Sequence, residues 1–224
     1  MSRALTEVGF YGKLPCRGDF LQRRAPQDFV DVWDAWLQAC LHETRERLQD
    51  AWLNTYLTGP VWRFVLSSGV CGDGAYAGIL VPSVDRVGRY FPLTVIAQLQ
   101  KEDCLLAIAC GSNSWFEAAE WLVIDALEAA ALDFDTFDEQ VALLRDRLDL
   151  DATKSLQSAI NAFAYRELSH ALQPLALWWT QGSSTISGSW LSTRGLPDAR
   201  AFVAMLTGDW SGSDWATARA GGPI

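Results

Sequence analysis

The sequence predicts an α/β protein, a three-layer α/β/α sandwich in which helices cover both faces of a central, mixed β-sheet. The chain has 224 residues, half of them hydrophobic, which is enough for one large core. Short apolar runs such as Tyr76–Val81 and Leu93–Ala97 are typical of strands that are buried on both faces. Helical patterns come before, between and after the strand groups, and short turns join several strands, which favours a mixed sheet over a purely parallel one.

The helices are predicted from apolar residues at helical spacing. In the first helix Phe29, Trp33 and Leu37 recur on one stripe. A second helix is expected to begin with an S-x-x-E capping box formed by Ser114 and Glu117. The predicted helices cover about 28–49, 114–130, 137–148, 155–172 and 197–206.

The strands are predicted from short apolar or alternating segments that end at turn residues. No linker or shift in composition divides the chain, so we expect a single domain over residues 1–224, with a loosely structured tail from about Thr207. The predicted strands cover about 61–68, 76–81, 92–99, 175–180 and 184–192.

Charge and cysteine content exclude several classes of function. The net charge of −9 argues against general affinity for nucleic acid or anionic membranes. Five cysteines without a CxxC pair, and only His42 and His170, make a zinc site unexpected and favour reduced thiols. The first residues lack the apolar core of a secretory signal, and the longest uncharged stretch, 168–193, is too polar to span a membrane. We therefore expect a cytoplasmic protein that is not an integral membrane protein.

The sequence contains partial matches to known catalytic and cofactor-binding motifs, but none of them is complete. Gly9 to Lys13 resembles the end of a P-loop, but its glycines are too close together. Gly72 to Gly78 nearly spells a dinucleotide fingerprint, but it leads into a strand where that motif must open a helix. No G-x-S-x-G nucleophile elbow is present. The sequence predicts no catalytic residue, no cofactor and no metal.

One charged segment, residues 83–92, connects two predicted buried strands. It carries Asp85, Arg86 and Arg89 on a backbone that contains Gly88 and Pro92. An unpaired buried charge is very unfavourable, so these groups must be paired with one another or exposed.

A second loop near the N-terminus is expected to meet this segment. Its glycines and proline predict a fixed conformation that directs Lys13 and Asp19 toward the charged segment across neighbouring strands. The candidate residues for binding a partner or an anion are Lys13, Asp19, Arg63, Ser83, Asp85, Arg86 and Arg89. The residues with an expected structural role are Gly12, Pro15, Gly18, Trp62, Gly88 and Pro92.

Three interpretations of these charged residues remain open. The first is a salt-bridge network that pins the N-terminal loop to the sheet. The second is a docking or anion-binding patch, because guanidinium groups bind carboxylate and phosphate well. The third is an unfamiliar active site that uses Ser83 and Asp85.

Several blocks of sequence resemble one protein family. The resemblance to the TagF proteins associated with bacterial type VI secretion extends over roughly residues 8–100. Its blocks are Gly9-Phe10-Tyr11-Gly12-Lys13-Leu14-Pro15, Gly18-Asp19-Phe20, Gly59-Pro60-Val61-Trp62-Arg63-Phe64 and residues 78–93.

The resemblance implies an α/β/α fold and a cytoplasmic regulator without known chemistry. Members of the TagF family are similar to post-translational repressors that bind a forkhead-associated (FHA) scaffold protein and keep it from productive assembly. Two alternatives stay open beside a repressor, namely an anion or small-molecule sensor that uses Arg63, Arg86 and Arg89, and a hydrolase that uses Ser83, Asp85 or His170. The sequence also leaves open whether the chain forms a homo-oligomer.

Overall fold

One antiparallel β-sheet with helices packed against it organises the chain. The structure, a computed structural model, describes residues 7–100, 103, 105–147, 175–211 and 216–219. The predicted helix over 155–172, with His170, lies outside these residues. The described elements are β1 (Val8–Gly12), β2 (Leu21–Arg23), α1 (Gln27–Leu48), α2 (Trp52–Leu57), β3 (Trp62–Leu66), β4 (Ala75–Val81), β5 (Leu93–Leu99), α3 (Leu105–Gly111), α4 (Asn113–Glu128), α5 (Phe134–Leu143), β6 (Leu175–Gly182), β7 (Ser187–Arg194), α6 (Ala199–Thr207) and β8 (Ala216–Arg219).

The strand order across the sheet is β2-β1-β5-β4-β3-β6-β7-β8. Each described pairing is antiparallel, from β1 with β2 to β7 with β8. The predicted α/β class is confirmed, but the predicted mixed sheet is wrong for the described strands. The reason is the length of the connections, because β3, β4 and β5, and likewise β6 and β7, follow one another through loops too short for a parallel crossover.

The two faces of the sheet pack against different helices. Along β4, Ala77 and Ile79 belong to a core cluster with residues of α4 and α5, while Tyr76 and Leu80 belong to a cluster with α1, α2 and α6. Successive side chains of a strand point to opposite faces, so an apolar run without alternation is what a doubly covered strand requires. Burying each large aliphatic side chain contributes about 1.5–3 kcal/mol to stability.

Helix α1 follows its prediction to within one residue at each end. It has Asp28 in its first turn and Arg45 and Arg47 in its last turn, which suits the helix dipole. Its buried stripe includes Trp33, whose indole Nε1 donates to Thr94 Oγ1 on β5 at 2.8 Å. This bond fixes the helix over the centre of the sheet.

The predicted capping box at Ser114 is wrong. Helix α4 begins at Asn113, and its N-cap residue Ser112 makes no side-chain capping bond. Ser114 therefore lies inside the first turn, and the Asn113 side chain instead donates to Glu117 Oε1 at 2.6 Å. An S-x-x-E pattern caps a helix only when the serine is the last non-helical residue.

The chain beyond Thr207 has more structure than expected. Helix α6 ends at Thr207 and is capped by Gly208, which has a φ of 73°. The backbone of β8 then pairs with β7, with Trp190 opposite Ala218, and extends the sheet by one strand. A four-residue strand is too short to show a periodic pattern, so the sequence did not reveal it.

Candidate functional site

The loop between β4 and β5 (residues 82–92) is a tight hairpin. Val84 pairs with Tyr90, and the Asp85 N–H donates to the Arg89 carbonyl at 3.0 Å. The Gly88 N–H donates to the Asp85 carbonyl at 3.0 Å, and Gly88 has a φ of 85°. This is the pattern of a three-residue hairpin loop whose last residue needs a positive φ, which explains a glycine at position 88.

The Asp85 carboxylate is buried at the base of this hairpin and uses both of its oxygens. Oδ1 accepts from the Val87 N–H at 3.0 Å and from the Arg89 N–H at 2.9 Å. Oδ2 accepts from Lys13 Nζ at 2.9 Å and from Arg89 Nε at 2.7 Å. The side chain is 0 % exposed, so these partners replace its hydration.

The electrostatic state of Asp85 follows from these contacts. Burial alone raises the pKa of a carboxyl group, but here it is outweighed by the hydrogen bonds from the Arg89 backbone, Lys13, the Arg89 side chain and the Val87 backbone. The pKa of Asp85 is therefore held well below its ordinary value. The carboxylate stays ionised at any physiological pH and is not poised to exchange protons.

The loop between β1 and β2 (residues 13–20) is joined to the hairpin at several further points. Ser83 Oγ donates to the Lys13 carbonyl at 2.6 Å, and the Arg86 N–H donates to the Arg17 carbonyl at 3.0 Å. The Arg89 guanidinium also donates to the Gly18 carbonyl. We call the side chains of Lys13, Ser83, Asp85 and Arg89, together with these carbonyl groups, the Asp85 clasp.

Tyr56 of α2 supports the Asp85 clasp from the helical side. Its hydroxyl donates to the Ser83 carbonyl at 2.9 Å and accepts from the Ser83 N–H at 3.0 Å. Burial raises the pKa of Tyr56, so the phenol remains protonated and keeps both bonds. Nothing in the local sequence singles out Tyr56, since only the general rule that a buried tyrosine hydroxyl needs a partner applies to it.

The expected structural residues are placed where the two loops and the sheet meet. Gly12 has a φ of 137°, and a Cβ there would lie 2.1 Å from the Pro92 carbonyl oxygen. Gly18, by contrast, has open space around it. Pro15 lies in the turn of the β1–β2 loop, and Pro92 is buried immediately before β5.

Arg63 is not part of the Asp85 clasp. It lies on β3, is 2 % exposed, and donates through Nε and a terminal nitrogen to the two carboxylate oxygens of Glu120 at 2.6 and 2.7 Å. Its other terminal nitrogen donates to Asn113 Oδ1 at 2.6 Å. These bonds tie the sheet to α4, so Arg63, Arg86 and Arg89 do not share one partner.

The neighbouring Trp62 makes a corresponding contact on the opposite face of the sheet. It is buried, and its indole Nε1 donates to the Met205 carbonyl at 3.1 Å. Helices α4 and α6 are therefore both attached to β3, on opposite faces of the sheet. Neither Glu120 nor Met205 was identified from the sequence, since each lies more than fifty positions from its partner.

The tip of the hairpin is exposed, unlike its base. Val87 is 64 % exposed, and the Arg86 side chain makes no hydrogen bond or ion pair with the described residues. Phe20 of the β1–β2 loop is 47 % exposed and packs edge-on against Phe91 at 4.8 Å between ring centroids. Asp19 beside it is also exposed.

The described residues offer few elements of an active site here. Ser83 directs its hydroxyl to a carbonyl, and its neighbour Asp85 is occupied by two cations. A cleft of about 450 Å³, which contains Asp28, Asp73 and Tyr76, includes no residue of the Asp85 clasp. Within the described ranges, no group of three His, Cys, Asp or Glu side chains suits a metal ion, and no helix is long and apolar enough to cross a membrane.

A comparison with family models places the chain that forms this antiparallel fold and the Asp85 clasp in a class of proteins associated with type VI secretion. A family model described as the TagF N-terminal domain, type VI secretion system-associated, matches residues 9–144. The chain belongs to this TagF family. The match covers both loops of the Asp85 clasp as well as Arg63 and Glu120.

A solved structure supports this assignment. The crystal structure of PA0076 from Pseudomonas aeruginosa PAO1 is similar, with a TM-score of 0.76 and 36% sequence identity over 90% of this chain and 94% of that one. Comparison with curated proteins finds no match.

Proposed function

We propose that this protein is a non-enzymatic cytoplasmic regulator of type VI secretion that represses the machine after translation. In this proposal it binds the FHA-domain scaffold protein of the secretion system and keeps it from productive assembly. The family match supplies the association with type VI secretion. The repressor role and the scaffold partner extend what the family resemblance implies.

The Asp85 clasp is the observation that carries the non-enzymatic part of the proposal. A general base needs an accessible group whose pKa lies near the working pH. Asp85 instead has a lowered pKa and four hydrogen-bond donors around it, and Ser83 is buried with its hydroxyl donated to a carbonyl. Such a site holds two loops rigidly and leaves the hairpin tip exposed, as a binding surface requires.

The packing of helices against both faces of the sheet supports the three-layer arrangement and the single domain predicted from the sequence. In our account α1, α2 and α6 form one layer and α4 and α5 another, each over its own face of the sheet. The sheet would then hold the β1–β2 and β4–β5 loops in fixed positions at one end of the domain.

The proposal predicts a stable complex and a secretion phenotype. Purified protein is expected to co-elute with the full-length FHA-domain scaffold encoded with the same secretion system. In cells that carry the machine, overproduction should lower secretion of its substrates without changing the amount of scaffold protein. Size-exclusion chromatography and immunoblotting of culture supernatants measure these two outcomes.

Either of two results would contradict the proposal. One is the absence of a complex with the scaffold at micromolar concentrations of both proteins. The other is turnover of a substrate that is lost on a single change of Ser83 or Asp85 in a variant that remains folded.

A further inference from the structure

The two loops of the Asp85 clasp have a net positive charge, whereas the rest of the chain has a net negative charge. Residues 13–20 and 82–92 contain four basic residues and two acidic ones, a net charge of +2, whereas the whole chain has a net charge of −9. Inside the clasp, Asp85 compensates Lys13, which is buried. The charges left at the surface are Arg17, Arg86 and Arg89 against Asp19.

Exposed apolar groups lie beside these arginines. Val87 is 64 % exposed between Arg86 and Gly88, and Phe20 is 47 % exposed. Lys13 Nζ lies 4.8 Å from the Phe20 ring centroid and 2.9 Å from Asp85, so Phe20 is next to the base of the hairpin. Large apolar side chains that the fold leaves exposed beside arginine are typical of protein contact sites.

The conformation of this surface is fixed before any partner binds. The hairpin is closed by its own backbone bonds, and the Arg86 N–H and the Arg89 guanidinium bind carbonyls of the β1–β2 loop. A preorganised loop loses little conformational entropy on binding. The Arg86 guanidinium, which no described residue engages, remains available to a partner.

We propose that the Arg86 tip, composed of Arg17, Phe20, Arg86, Val87 and Arg89, docks on an acidic protein surface. The Arg86 guanidinium would bind a carboxylate of the partner, the exposed part of Arg89 would add positive charge beside it, and Val87 would fill an apolar depression. This inference rests on the proposed function and names the surface that contacts the scaffold.

The charge of the whole chain favours a protein partner over nucleic acid or lipid. A body with a net charge of −9 is repelled by a polyphosphate or an anionic bilayer, and a small positive patch does not reverse that repulsion. An acidic patch of limited size on a folded protein fits, because complementary local potentials then orient the approach of the two molecules.

The test is the affinity of charge-reversed variants for the full-length FHA-domain scaffold, measured by calorimetry. Arg86→Glu is expected to weaken binding about tenfold or more, because it places like charges together in the complex. Val87→Ser is expected to weaken it by about fivefold through loss of apolar contact. Both positions are exposed, so thermal unfolding should match that of the native protein.

Arg200→Glu is the matched control. Arg200 is exposed in the first turn of α6, and the same reversal there makes the same change in net charge. Arg200→Glu is expected to bind the scaffold as tightly as the native protein does. Raising the salt concentration should weaken the native complex more than that of Arg86→Glu, because the variant has lost part of the charge attraction.

The outcomes separate this inference from the proposed function. If the native protein binds and Arg86→Glu and Val87→Ser bind equally well, the Arg86 tip is not the docking surface, but the proposed function stands. If Arg200→Glu weakens binding as much as Arg86→Glu, the effect is one of overall charge, and the inference is wrong. If the native protein does not bind the scaffold, both proposals are wrong.

Discussion

Replacing Asp85 with asparagine is expected to lower the free energy of unfolding by about 3–5 kcal/mol, because removing one partner of a buried ion pair leaves the other charge uncompensated. The Lys13 side chain is only 5 % exposed, and Asp85 is its carboxylate partner at 2.9 Å. Urea unfolding followed by tryptophan fluorescence measures the loss. The broken Arg89–Asp85 ion pair contributes less to this loss of stability than the Lys13–Asp85 pair. The Arg89 side chain is 57 % exposed, so water hydrates it when the carboxylate is removed.

Asp19→Asn is the control for this variant. Asp19 lies in the β1–β2 loop, as Lys13 does, but it is exposed, so its replacement should change stability by less than about 0.5 kcal/mol. Equal losses for the two variants would contradict the account. They would mean that Lys13 does not depend on Asp85.

The difference between native protein and Asp85→Asn should also depend on pH. The folded pKa of Asp85 is lowered, so its contribution is fully present above the unfolded value of about 3.9 and is lost as the pH falls toward the folded pKa. The difference in unfolding free energy should therefore be smaller at pH 3 than at pH 7, by about 1 kcal/mol. A difference that stays constant over this range would contradict the lowered pKa.

Gly12→Ala is expected to lower stability by about 2–5 kcal/mol, from steric overlap together with backbone strain. An added Cβ would lie 2.1 Å from the Pro92 carbonyl oxygen and 2.8 Å from the Leu93 Cα, which are backbone atoms where the β4–β5 loop enters β5. Such atoms cannot move aside without separating β1 from β5. The φ of 137° is a further strain for any residue that has a side chain.

Gly18→Ala is the matched control, since no heavy atom lies within 4 Å of an added Cβ at that position. Its effect should stay within about 0.5 kcal/mol of zero. Comparable losses for the two glycine variants, measured by the same unfolding experiment, would show that the close approach of β1 to Pro92 does not limit residue 12.

The elements that the sequence predicted well are those with a strong local pattern. Helix α1 and strands β4 and β5 were placed to within one residue or two, because their apolar spacing has only one good structural interpretation. The candidate list also contained Lys13, Asp85 and Arg89, which the structure joins as ion pairs. A charged loop between buried strands must have partners, and that requirement can be stated without knowing the fold.

The features that the sequence did not predict depend on contacts between distant positions. Arg63 was grouped with Arg86 and Arg89, but its partner Glu120 is 57 positions away on α4. Tyr56 donates a hydrogen bond to the Ser83 carbonyl from α2, and apart from the apolar face of that helix no sequence pattern predicts this contact. The pairings of β1 with β5 and of β3 with β6 likewise join strands that are distant in the sequence. No single-sequence pattern encodes these choices.

The most direct test is the affinity of a Lys13→Met and Asp85→Asn double variant for the FHA-domain scaffold that we propose as the partner. This pair removes both buried charges together, so the double variant should be more stable than Asp85→Asn alone. If these charges only hold the loops in place beneath the Arg86 tip, the folded double variant will bind the scaffold as tightly as the native protein does. A folded double variant that no longer binds would show that the buried pair takes part in recognition, which contradicts a purely structural role for these two charges.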